Sequence, residues 1–108
     1  MKTDPILREI VRRIRKEVRP QKIILFGSRA RGTPHRHSDY DILVVKRTRL
    51  SHYRRAEPIR SALVDLPVEV DVDVVMYTPF EIHDWSQVPQ AFITTAMREG
   101  KVLYEEAK

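Results

Sequence analysis

The chain of 108 residues has no cysteine, only three glycines, one tryptophan and no uncharged apolar run approaching the roughly 18 residues that cross a bilayer. Without cysteine there is no disulfide, no thiolate-held zinc, no iron–sulfur cluster and no thiol nucleophile, so any chemistry rests on oxygen and nitrogen groups. Few glycines beside 42% hydrophobic and 32% charged residues exclude collagenous, low-complexity and disordered chains. The amino-terminal residues are charged where a secretion signal would be apolar, which leads us to expect a cytoplasmic protein. The length suits one domain over residues 1–108.

Charge is distributed unevenly. Residues 1–36 carry eleven Lys and Arg against three acids, and residues 37–108 carry nine against twelve. The basic section could attract phosphates, nucleic acid or an acidic protein, and the later acids could attract cations; solvated helix faces explain the same numbers.

Asp4-Pro5 reads as a helix start, an oxygen that caps the first amides followed by a ring whose missing N–H costs nothing there. Ile6, Leu7, Ile10, Val11, Ile14 and Val18 repeat at spacings of three and four, which predicts an amphipathic helix up to Arg19-Pro20. Lys22 to Phe26 is a short β-branched run, hence a strand. Residues 27–38 form a loop with at most one helical turn, and residues 39–46 a second strand. A helix is predicted over Pro58–Leu66, and the alternation VEVDVDVVMY over Val68–Tyr77 predicts a third strand. The tail predicts a turn after Pro79, a helix over Pro89–Arg98, a left-handed stop at Gly100 and a short strand at Val102–Tyr104. Trp85 and Phe92 fit the core better than a partner surface. This order of elements is an α+β fold.

One constellation carries chemistry. Gly27, directly after a strand, lets backbone approach a ligand, and the amides and hydroxyl of Ser28 can donate to phosphate oxygens. Asp39 and Asp41 lie two apart at the head of a strand, so both side chains leave on one face. Paired carboxylates repel unless a cation neutralises them. Magnesium, commonly held by one or two carboxylates with phosphate oxygens and water, suits such a pair; zinc, lacking thiolates or a histidine set, does not. Asp71 and Asp73 on the third strand are candidates for a third acid, which would allow a second metal or act as a base. Each piece alone has a plainer explanation: an Asp-x-Asp turn, an acidic strand edge, arginines in a solvated loop, and surface histidines at His35 and His37.

Taken together, Gly27-Ser28-Arg29-Ala30-Arg31-Gly32, then Ser38-Asp39-Tyr40-Asp41-Ile42-Leu43-Val44-Val45, then Val72-Asp73-Val74-Val75, resemble the minimal nucleotidyltransferases of the DNA polymerase β superfamily, often the antitoxin half of prokaryotic toxin–antitoxin pairs. The resemblance implies a mixed sheet with helices packed on it. It also implies metal-dependent transfer of a nucleoside monophosphate to a hydroxyl, with release of pyrophosphate. It assigns Gly27 and Ser28 to the β- and γ-phosphates and Asp39, Asp41 and Asp73 to the metals, magnesium or manganese. The same resemblance implies that Asp73 helps activate the acceptor hydroxyl, with Asp71 in reserve, and that Arg31 and Arg29 are further phosphate contacts. The chain departs from the family at Thr33 and His37, where an acid is frequent.

Larger members carry helical domains that hold base and acceptor, and 108 residues leave no room for one. The resemblance therefore implies a partner that completes the surface: a helical toxin of the higher-eukaryote-and-prokaryote nucleotide-binding (HEPN) type, modified on a hydroxyl with ATP as donor. Dimers of this chain are the alternative way to complete the pocket. A competing class is a binding module that neutralises its toxin by occupancy. Direct nucleic-acid binding through Arg8, Arg12, Arg13 and Arg15 is disfavoured, because no aromatics interleave with the basic run.

Overall fold

The computed structural model describes residues 4–32, 39–66 and 71–107. Expectations for Thr33, His35, His37, Ser38 and the Val68 start of the third strand lie outside the described residues.

Helix α1 spans Pro5–Val18, with the Asp4 carboxylate accepting from the amides of Ile6 at 2.9 Å and Leu7 at 3.3 Å. Arg19 closes it in the left-handed region at φ 49°, its N–H donating to the Arg15 carbonyl, and Pro20 forbids continuation. Strand β1 (Lys22–Phe26) leads through Gly27 into the single turn α2 (Ser28–Arg31), and β2 covers Tyr40–Val45. A 3-10 turn at His52–Arg54 precedes α3 (Glu57–Leu63), which ends earlier than its apolar pattern predicted. Strand β3 (Val72–Tyr77), α4 (Pro79–Trp85), α5 (Phe92–Glu99) and β4 (Lys101–Glu105) complete the chain.

The four strands form one mixed sheet in the order β3-β2-β1-β4. β1 is antiparallel to β2 and β4, whereas β2 and β3 run parallel, joined by the crossover through α3. Alternate side chains therefore build two layers. Ile23, Leu25, Ile42, Val44, Val74 and Met76 pack under α1 and α3 against Ile10, Ile14 and Ile59. Ile24, Leu43 and Ala96, flanked by Phe26, Val75, Tyr77 and Met97, form the smaller layer under α5. Each fully buried Ile or Leu contributes about 1.5–3 kcal/mol, so the α1 side carries most of the hydrophobic stabilisation.

Three expectations for the tail are corrected. The segment after Pro79 is a helix, not a turn: the Thr78 hydroxyl accepts from the Glu81 amide at 3.1 Å, while the Glu81 carboxylate accepts from the Thr78 amide at 2.8 Å. This reciprocal cap satisfies two otherwise orphaned donors. Gly100 is extended at φ −76° rather than left-handed. Glycine is required there by close approach, since a Cβ would meet the Ala96 carbonyl and Ile24 Cγ2, each at 2.5 Å. Trp85 and Phe92 are 46% and 52% exposed, so neither is core.

Arg55, the buried cation among the described residues at 8% exposure, locks the start of α4 to the rest. It donates to the Glu81 carboxylate at 2.6 Å and to the Leu50 carbonyl at 2.9 Å. Burial pushes the Glu81 carboxyl up, but its bonds from Arg55 and Thr78 prevail and hold it below the ordinary value.

Candidate active site

The acids stand where the sheet register places them. Asp41 is paired with Asp73 across the parallel β2–β3 ladder and with Phe26 across the antiparallel β1–β2 ladder. Residues directly opposite share a face, so Asp73, Asp41 and Phe26 form a row on the α5 side of the sheet. Asp39, one residue before β2 and two before Asp41, points to the same side. Leu43 lies below Asp41 on that face and is fully buried, so the carboxylates crown an apolar layer.

Burial, followed by the charges of Asp73 and Asp39, pushes the Asp41 carboxyl above its ordinary value, and Arg31 opposes the shift. Asp71 lies just ahead of β3, where its carbonyl accepts from the Tyr40 amide at 3.0 Å. Between the two candidates for the third acid, the register sets Asp73 beside Asp41.

Gly27 has φ 77° and ψ −160°, a conformation open essentially to glycine alone. A Cβ at this position would collide with the Asp41 carboxylate. The sequence reason for Gly27 is the close approach of a ligand; the structure shows instead the close approach of the Asp41 carboxylate. Ser28 opens α2 immediately afterwards, and the amides of Ala30 and Arg31 donate to the Gly27 carbonyl at 3.1 Å, fixing the turn.

The two loop arginines part company. Arg31 is the cation that acts on Asp41. Arg29 sits with its guanidinium carbon 4.0 Å from the centre of the Tyr40 ring, on the α1 side of the sheet. The Tyr40 hydroxyl in turn donates to Asp4 at 2.7 Å. Sequence reasoning missed Tyr40, which lies between the two acids and ties α2, β2 and the α1 cap together. The alternating pattern of DYDILV was the available signal, since a residue between two outward acids must face inward.

A divalent cation fits this donor set in one respect and strains it in another. Among the described residues, no three His, Cys, Asp or Glu side chains converge on a single point. Magnesium does not need them to, because one or two carboxylates with phosphate oxygens and water complete its shell. The like-charge pressure on Asp41 is what such a cation relieves.

The basic run of α1 is largely engaged in the fold. Glu9 accepts from Arg12 at 2.7 Å and from Arg13 at 2.7 Å, and Arg13 reaches Asp65 and the Ala62 carbonyl. Arg15 lies 4.2 Å from the Tyr104 ring centre. A groove of about 1210 Å³ between α1 and β4 lies on the side of the sheet away from the acids. No helix of the described residues is long and apolar enough to cross a membrane.

Comparison with known proteins follows the same line. Solved structures share the architecture. A candidate nucleotidyltransferase from Sulfolobus solfataricus, 21% identical, matches over 94% of this chain and 78% of its own with a TM-score of 0.64, a likeness of fold. A toxin–antitoxin with AMP-PNP is 27% identical over 92% of this chain and 73% of its own, TM-score 0.55. A mutant of the toxin–antitoxin MntA–HpeT is 25% identical over 97% and 75%, TM-score 0.58. No curated protein matches the sequence. The model of one family, polymerase β nucleotidyltransferase, matches residues 8–108. The chain belongs to the polymerase β nucleotidyltransferase family.

Proposed function

We propose that this chain transfers a nucleoside monophosphate from a triphosphate, with ATP as the donor, to a hydroxyl of a partner toxin, and so acts as an antitoxin. The observation that carries the reading is the Asp41 carboxylate, set in register beside Asp73, pushed up by burial and by two neighbouring acids, and lying against the bare backbone of Gly27. Family membership supports nucleotidyl transfer, and the likeness to two toxin–antitoxin structures supports the partner. A helical HEPN-type toxin is the partner class that the sequence resemblance implies.

In this mechanism the Ser28 amide and hydroxyl hold the β- and γ-phosphates, and the bare backbone of Gly27 admits the Asp41 carboxylate beside that turn. Arg31 adds a cation on the same side. Asp39 and Asp41, with Asp73 beside them, would hold magnesium or manganese, which would neutralise the carboxylates and the phosphate oxygens. Asp73 takes the proton of the acceptor hydroxyl. The acceptor oxygen forms a bond to the α-phosphorus as the bond to pyrophosphate breaks, and pyrophosphate leaves. Positioning and fixed charge supply the acceleration, as general for phosphoryl transfer.

The test uses the chain co-expressed with its toxin and ATP labelled at the α-phosphate. Label should pass to the toxin with release of pyrophosphate, and the Asp41→Asn variant should lose both transfer and neutralisation. Neutralisation that survives in this variant while transfer disappears would make occupancy the function instead.

A further inference from the structure

The row of side chains that contains the acids continues into a pair of aromatic rings. Phe26 is directly opposite Asp41, which places their Cβ atoms about 4.5–5.5 Å apart on one face. Phe92, the first residue of α5, meets Phe26 with ring centroids 5.2 Å apart and planes at 80°. In such an edge-to-face pair the outer ring keeps at least one face uncovered by its partner, and Phe92 is 52% exposed. A Phe of that exposure at a helix start contributes little to the core, while its neighbour Phe26 runs straight into the Gly27-Ser28 turn.

We infer that Phe92, backed by Phe26, is the stacking platform for the nucleobase of the triphosphate. The inference rests on the reading of the acids as a nucleotide site. Phe26 alone separates Asp41 from the Phe92 ring, by one strand pairing and then one ring pair, so the ribose has to join an α-phosphate at the acids to a base over Phe92. A ring face reads no hydrogen-bonding edge, so the platform accepts any base and favours purines through their larger stacking area. It gives this short chain a contact with the base made from its own residues.

Calorimetric titration with magnesium separates the two ends of the ligand: ATP carries a base, and inorganic tripolyphosphate does not. The probes are titrated into the wild-type chain, Phe92→Ala, Phe92→Leu and Phe92→Trp. Phe92→Leu keeps apolar bulk against Phe26 without a ring face, and it guards against a repacked α5. Phe92→Ala and Phe92→Leu should each weaken ATP by roughly 5- to 150-fold, the range of one base–aromatic stack, and leave tripolyphosphate unchanged. Phe92→Trp should bind ATP at least as tightly as wild type. CTP should lose less than ATP or GTP in the alanine variant. Equal ATP affinity in all four proteins, with tripolyphosphate still bound, would overturn the platform and leave the phosphate site standing. Unchanged ATP affinity with loss of toxin capture would make Phe92 a docking residue and overturn the platform equally. Failure of the wild-type chain to bind either probe would remove the nucleotide site and the platform with it.

Discussion

Asp41 and Asp73 stand side by side across the parallel β2–β3 ladder, two carboxylates on one face with Asp39 close by. Their proximity is an electrostatic cost that Arg31 opposes. Burial first, then the two acids, raise the Asp41 carboxyl above its ordinary 3.8. Folding therefore favours its protonated form, and that stabilisation is fully present below the unfolded value and lost as pH rises through the raised one.

Asp41→Asn, which mimics the protonated state, should accordingly match the wild type in urea stability under acid conditions and exceed it at neutral pH. Paired denaturation curves across this range provide the check. A variant less stable than wild type at neutral pH would contradict the like-charge account.

Gly27 and Gly32 share φ 77°, but they should respond differently to alanine. Nothing lies within 4 Å of a Cβ at Gly32, whereas one at Gly27 strikes the Asp41 carboxylate. Gly27→Ala also enters a backbone region costing about 1–3 kcal/mol for a residue with a side chain. It should lose that much stability and its nucleotide binding together. Gly32→Ala should retain binding. Denaturation and nucleotide titration of the two variants decide the matter.

Tyr40 offers a third test. Burial and then its bond to Asp4 push the Tyr40 hydroxyl up to about 12. The sign is that of a raised group: the stability it contributes is complete below the ordinary value of 10.0 and is lost as pH climbs through about 12. Tyr40→Phe should cost about 1.5–3 kcal/mol at neutral pH, the worth of a hydrogen bond to a charged group, and should remove this alkaline loss. Thermal melts at neutral and alkaline pH measure both effects.

Much of this molecule was legible in its sequence. The apolar stripe of α1 and the Asp4-Pro5 start placed that helix within a residue, because periodicity and capping are local signals. The strands were likewise readable as short β-branched runs. The Thr78–Glu81 capping box was present as Thr-x-x-Glu and passed for a turn, since α4 has only seven residues and none of them is buried. Gly100 looked like an ordinary helix stop, but its reason lies in Ile24 and Leu25, which are distant in sequence.

The site divided in the same way. That Asp39 and Asp41 share a face followed from strand geometry; strand alternation left Asp71 and Asp73 equivalent, the family resemblance chose Asp73, and the β2–β3 register sets Asp73 beside Asp41. Arg29 and Arg31 are equivalent as letters. Only the turn of α2 sends one to the Tyr40 ring and the other toward Asp41. The exposure of Phe92 was hidden for the same reason, because a small domain with seven per cent aromatics gives every ring an apparent place inside.

The decisive measurement is calorimetric titration of ATP into the purified chain, with and without magnesium, beside the Asp39→Asn, Asp41→Asn double variant. Binding that requires magnesium in the wild type and vanishes in the double variant is the expected result. Equal ATP binding by both proteins, indifferent to magnesium, would place the nucleotide elsewhere and contradict the assignment of the acids.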